Sequence, residues 1–186
     1  MKRLVVFFLM AALLLPSCGT REEMRVISWG PVFSQMTEAE ILAYFEHCTG
    51  LEAEDYMEDY GGLYLDGGRP VLLFRRDSDV IGMAKELLPE DSGLRIEAAR
   101  YTDAELEAVN EWLGGVFPYL GDFVMRETKL DVIGNCIEIS VEVGTDITAF
   151  TEALLSALDM PDVDAGIFRI REFDPADEVY YMTGND

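Results

Sequence analysis

The segment Leu130-Asp131-Val132-Ile133-Gly134-Asn135-Cys136-Ile137-Glu138-Ile139-Ser140-Val141-Glu142-Val143 leaves the chain the least conformational freedom. Ile137, Ile139, Val141 and Val143 alternate with Glu138, Ser140 and Glu142. Side chains alternate across a strand with a period of two, so this run has one apolar and one polar face. Gly134-Asn135 between two apolar runs predicts a two-residue hairpin, with Gly134 taking the positive φ of a type II′ turn. Phe123 to Ile133 and Cys136 to Val143 are then its strands. A sheet apolar on one face needs cover on that face, and the flanking sequence offers it.

Upstream, Leu94, Ile96 and Ala98 alternate with Arg95 and Glu97 as a strand. Thr102-Asp103-Ala104-Glu105 is a capping box, and Leu106, Val109, Leu113 and Val116 form one helical stripe behind it. Gly114-Gly115 and Pro118 should end that helix. Downstream, Thr145 or Asp146 caps a helix whose buried face is Ile147, Phe150, Leu154 and Leu158; Phe168 and Ile170 then alternate with Arg169 and Arg171 on a closing strand. Strand, helix, strand, strand, helix, strand over about 94–173 predicts an α+β fold with a ferredoxin-like βαββαβ unit at 93–173. Residues 174–186 read as an acidic tail.

Residues 37–92 form a helix–hairpin–helix lobe. Thr37-Glu38-Ala39-Glu40 is another capping box, followed on one face by Ile41, Leu42, Phe45 and Cys48, with Gly50 as the stop. Gly61 to Leu65 pairs with Val71 to Phe74 across Asp66-Gly67-Gly68-Arg69, and Pro70 can only begin its strand. A helix from about Asp79 to Leu88 stops ahead of Pro89. Residues 18–36 read as a tether with a short strand at Met24 to Trp29. No sequence repeat is evident.

The N-terminus bears on location. Lys2-Arg3 precede an apolar run, Leu4 to Leu15, too short to span a bilayer comfortably, and then Pro16-Ser17-Cys18. Leu15-Pro16-Ser17-Cys18 resembles the lipobox of bacterial lipoprotein precursors, which implies removal of residues 1–17, acylation of Cys18 and a lipid-anchored protein on the extracytoplasmic face of the cell envelope. Pro16 departs from the usual occupant, and an ordinary secretory signal or an uncleaved anchor are the alternatives. With Cys18 assigned, Cys48 and Cys136 remain. They form a disulfide if their Cα atoms fall within about 7 Å, and stay separate thiols otherwise.

Composition narrows the partners. The chain carries 14 Lys+Arg against 36 Asp+Glu, a net of −22, so phosphate backbones and anionic headgroups are repelled and nucleic acid is no partner. Catalytic motifs are missing. His47 is the only histidine, and Cys48 beside it projects about 100° away on a helix, so the two cannot pair. No Gly-x-Ser-x-Gly turn exists. The oxygen-rich loops Asp77-Ser78-Asp79 and Asp159 to Asp164 lack the Gly and Glu positions of a calcium loop, and no metal or cofactor site is expected. Tyr56, Tyr60, Tyr64, Tyr119, Tyr180 and Tyr181 fall near element ends, fit for a contact surface or a core rim.

From Tyr60 to Val143 the order of motifs resembles the pro-regions of secreted bacterial serine proteases of the α-lytic protease and streptogrisin type. The carriers are Tyr60-Gly61-Gly62-Leu63-Tyr64-Leu65-Asp66, Pro70-Val71-Leu72-Leu73-Phe74, Ala99-Arg100-Tyr101-Thr102 leading into Ala104 to Ala108, and Leu130-Asp131 with Asn135 ahead of Ile137-Ile139-Val141. The resemblance implies a non-catalytic α+β module that packs its sheet on a protease, assisting its folding and inhibiting it; no protease domain follows in this sequence. The expectation is a non-enzymatic, membrane-anchored lipoprotein that binds an extracytoplasmic protein, a secreted serine protease in the pro-region case, with Glu138, Ser140 and Glu142 as contacts. A carboxylate- or metal-dependent hydrolase and a structural envelope component are the alternatives.

Overall fold

The computed structural model describes residues 32–158, 160 and 163–174. Cys18, the strand expected at Met24 to Trp29, most of the acidic tail, Tyr180 and Tyr181 lie outside them. Val71-Leu72-Leu73-Phe74 is apolar without alternation, and all four side chains are buried. Such a run suits a strand covered on both faces, and it forms the centre of the first sheet. That sheet holds β1 (Tyr60–Asp66), β2 (Arg69–Arg75) and β3 (Arg95–Ala99) in this order. β1 and β2 are antiparallel; β2 and β3 are parallel, joined by a crossover through α3 (Val80–Leu87). α1 (Glu38–Thr49), the short α2 (Ala53–Tyr56) and α3 cover one face, where Ile41, Phe45, Tyr56, Leu72, Phe74, Val80 and Ala84 pack together. Val71, Leu73 and Ala99 form a smaller cluster on the other face, with Tyr64 and Val132 against it.

The second sheet has the order β4 (Tyr119–Leu120), β5 (Phe123–Asp131), β6 (Cys136–Val141), β7 (Phe168–Glu172). β5 and β6 are antiparallel, β6 and β7 parallel through α5 (Ile147–Ala157). Leu106, Val109 and Leu113 of α4 (Asp103–Val116) and Phe150 and Leu154 of α5 share a core with Met125, Ile137, Ile139 and Val141. The α+β class therefore holds, whereas the βαββαβ unit over 93–173 does not form. Its first strand, β3, pairs with β2 instead, because the doubly buried β2 needs a neighbour on each side, and a parallel neighbour requires a helical crossover, which α3 supplies.

This pairing exposes a repeat that the sequence hides. α1-β1-β2-α3-β3 and α4-β5-β6-α5-β7 have the same order, pairing and direction. Thr37 and Thr102 open the two units with formed capping boxes, and Asp66 and Asp131, equally far along, end the first hairpin strands. Asp79 and Asp146 precede the crossover helices. The strand order puts β3 with the first unit rather than with the second.

Smaller expectations also change. α4 runs through Gly114-Gly115 and stops at Phe117, ahead of Pro118. Ile147 is exposed rather than core. The central hairpin turn is the loop Val132-Ile133-Gly134-Asn135, and the positive φ of 48° falls on Asn135. A Cβ at Gly134 would meet the ends of the Asp131 and Arg169 side chains, which would have to shift to admit it. Cys48, half-buried on α1, and Cys136, buried at the start of β6, are free thiols, the second of the two alternatives left open by the sequence.

Candidate protein-binding face and its surroundings

Because α4 and α5 lie on one face of the second sheet, the other face carries the alternate residues of β5, β6 and β7 without helical cover. In register these are Lys129, Glu138 and Arg169, then Glu127, Ser140 and Arg171. Arg169 Nη1 donates to Asp131 Oδ2 at 2.7 Å and Glu138 Oε1 at 2.9 Å; Lys129 Nζ lies 3.7 Å from Glu138 Oε2. Arg171 stands 3.7 Å from Glu127, and Arg126, at the bulge in β5, pairs with Glu142. Four cations alternate with four carboxylates in a chain that is otherwise strongly acidic. Around Glu138 and Asp131 the cations are the outer layer: the Lys129 and Arg169 side chains are 58% and 52% exposed, those of Glu138 and Asp131 19% and 21%, whereas Arg126 and Glu142 are about equally exposed.

The residues expected as contacts differ in exposure. Ser140 is only 2% exposed and Glu138 is clamped from both sides; Glu142 is exposed but paired. β6 is also an interior strand, so its main-chain groups are engaged by β5 and β7. The most exposed charged side chains on this face are those of Lys129, Arg169, Glu142 and Arg126. Sequence alternation identified the face but could not rank side chains by length, and long Arg and Lys stems lie over shorter acids.

Other candidates distribute as follows. Tyr56, Tyr60 and Tyr64 donate to Glu46, Glu38 and Glu97; the first two are buried, and burial pushes their phenols up. They are rim-of-core residues, while Tyr119 is exposed. His47 lies in the last turn of α1. Asp77 and Asp79 line an open cavity of 370 Å³ with Asp55, Asp59, Arg75 and Ser78, where Ser78 Oγ donates to Asp59 at 2.5 Å. Among the described residues no group of three His, Cys, Asp or Glu is placed to hold a metal. Burial pushes the Cys136 thiol up, and Asp131 and Glu138 reinforce this against Arg169, so it stays protonated and a poor nucleophile. Asp103 is a carboxyl held above its usual range, by burial and then by Glu107 and Glu38. It sits at the junction of the two units rather than among the acids of the cavity at Asp59.

Sequence reading missed the junction itself. Asn135 Oδ1 accepts from the amides of Arg100 and Tyr101 at 2.7 and 2.8 Å, and its Nδ2 donates to Tyr101 O at 2.9 Å. Asp164, expected in an oxygen-rich loop, accepts from the Tyr101 hydroxyl and from Arg100. Gly61 is packed so closely that a Cβ would come within 2.7 Å of Ala99 Cβ. The hairpin loop thereby fixes the link between β3 and α4 and holds the second sheet in place. No protein-family model and no curated protein matches this chain.

Proposed function

We propose that this protein is a non-catalytic binding module of the bacterial cell envelope, tethered through acylated Cys18, whose uncovered β5–β6–β7 face receives an extracytoplasmic protein. The observation that carries the reading is the face itself: a sheet rigidly backed by α4 and α5, with a lattice of exposed cations over half-buried acids. Exposed ion pairs contribute about 0–1 kcal/mol each, so stability alone is a weak reason for this lattice, whereas charge patterns of this kind set partner and register. The resemblance to protease pro-regions makes a secreted serine protease the leading partner, acted on in trans as inhibitor or folding aid.

The test is capture from a native envelope extract on beads carrying the chain from residue 19 onward. One retained protein is expected with the native sequence and loss of it with Lys129→Ala/Arg126→Ala/Arg171→Ala. Purified secreted serine proteases of the same source are then assayed for inhibition. Equal retention by both forms removes the sheet face from the interaction.

A further inference from the structure

The end of the second sheet away from the Asn135 junction has a different character. There β4 and β5 turn at Gly121-Asp122, and β6 runs out towards α5. An open groove of 330 Å³ lies between this turn and α5, lined by Leu120, Gly121, Phe123, Ala153, Ser156 and Ala157. Phe123 is fixed there edge-on to Phe150, their centroids 5.5 Å apart. Phe117 and Tyr119 stand exposed on the β4 side, Tyr119 at 65%. Val143, 63% exposed, and Ile147 belong to the same end, because the Glu142 amide donates to Val124 O at 3.1 Å. An apolar groove ringed by exposed large apolar side chains is the usual mark of an interaction site.

Its charge selects the occupant. Residues 114–124 and 143–158 contain Asp122, Asp146 and Glu152 and no lysine or arginine. The neighbouring cation, Arg126, is already paired with Glu142. A second copy of this chain, with a net charge of −22, and an anionic membrane are both repelled. The wall offered by α5 is built of Ala153, Ser156 and Ala157, spaced three and four apart on one helical stripe, so another helix can approach its backbone closely. We infer that this groove takes a basic amphipathic helix from a partner protein, apolar side in the groove and lysines or arginines towards Asp122, Asp146 and Glu152. The site is separate from the Lys129–Arg169 face and stands or falls independently of it.

The experiment titrates the full chain into a fluorescein-labelled helical peptide of about 18 residues, about five turns, with leucine on one face and lysine on the other, and reads anisotropy. A second peptide carries glutamate in place of lysine. Saturable binding of the lysine peptide and none of the glutamate peptide is expected. Ala157→Trp, which fills the groove without altering charge, and Tyr119→Ser should each weaken binding about tenfold, as loss of a central apolar contact does. Lys129→Ala should leave it unchanged. Ser156→Trp replaces Ala157→Trp if the latter lowers the melting temperature. Equal affinity for native and groove-filled protein would mean generic attraction to an acidic surface and would overturn the inference, as would binding of the glutamate peptide or no saturable binding at all.

Discussion

Asn135 is worth more to this fold than its place in a turn suggests. It combines a backbone φ of 48° with three side-chain hydrogen bonds to backbone groups of Arg100 and Tyr101. Replacing it by alanine leaves partly buried amides and a carbonyl without partners, at about 1–3 kcal/mol, and adds about 1 kcal/mol because alanine lacks the short polar side chain that lets asparagine tolerate the left-handed region. Asn135→Ala should therefore lower the unfolding free energy by about 3 kcal/mol in a urea titration, and Asn135→Gly by less, since glycine accepts that φ freely. A loss below about 0.5 kcal/mol for Asn135→Ala would contradict the junction described here. In the sequence, Gly134-Asn135 announced a turn correctly but assigned the strained φ to the wrong residue. The partners of Asn135 stand 34 and 35 residues upstream, and local pattern carries no trace of them.

The elements themselves were legible because their signals are local. Both capping boxes form: Thr37 Oγ1 accepts from the Glu40 amide and Thr102 Oγ1 from Glu105, with each glutamate returning to the cap amide. Thr102 is buried and Thr37 exposed, so water can replace the lost acceptor only at Thr37. Thr102→Ala should cost about 1–2 kcal/mol and Thr37→Ala about 0.5, measured by thermal melts. Strand partners were not legible, because pairing is decided by burial across the whole sheet. The clue was present in Val71-Leu72-Leu73-Phe74, whose lack of alternation argues for a central strand with cover on both sides. Accordingly Leu72→Ala and Leu73→Ala, on opposite faces of β2, should each cost about 2–4 kcal/mol. In a solvent-facing hairpin one of the two would be nearly neutral. The candidate binding face followed the same division: alternation revealed the polar side of β6, and only packing showed that Lys129 and Arg169 lie outside Glu138 and Asp131.

At the scale of the molecule, a net charge of −22 and three aspartates with displaced ionisation shape the response to pH. Asp103 is held above its ordinary range by burial, Glu107 and Glu38. Its ionised form is disfavoured in the fold, so its contribution is fully present below the unfolded value of about 3.9 and is lost as pH rises through the folded value. Protonation of other carboxylates relieves self-repulsion in the same direction. Asp164 is held low by the Tyr101 hydroxyl and the Gly166 amide, with Arg100 beside it. Burial raises Asp131, but the Gly134 amide and Arg169 together outweigh it and leave the carboxyl low. These two support the fold above about pH 3.9 and cease to do so as pH falls through their folded values. Stability should therefore increase from pH 7 to a maximum at about pH 4–5 and fall below it. Asp103→Asn should raise the melting temperature at pH 7 and diminish the rise towards pH 5, while Asp164→Asn lowers it at pH 7 and flattens the acid limb. Adding about 0.5 M NaCl at pH 7 screens the long-range repulsion and should also raise the melting temperature. A gain from salt without a gain from Asp103→Asn would assign the slope to overall charge alone. A melting temperature that falls steadily from pH 7 to 4 would overturn the roles given to Asp103 and to overall charge, since Asp164 and Asp131 keep their contribution down to about pH 3.9.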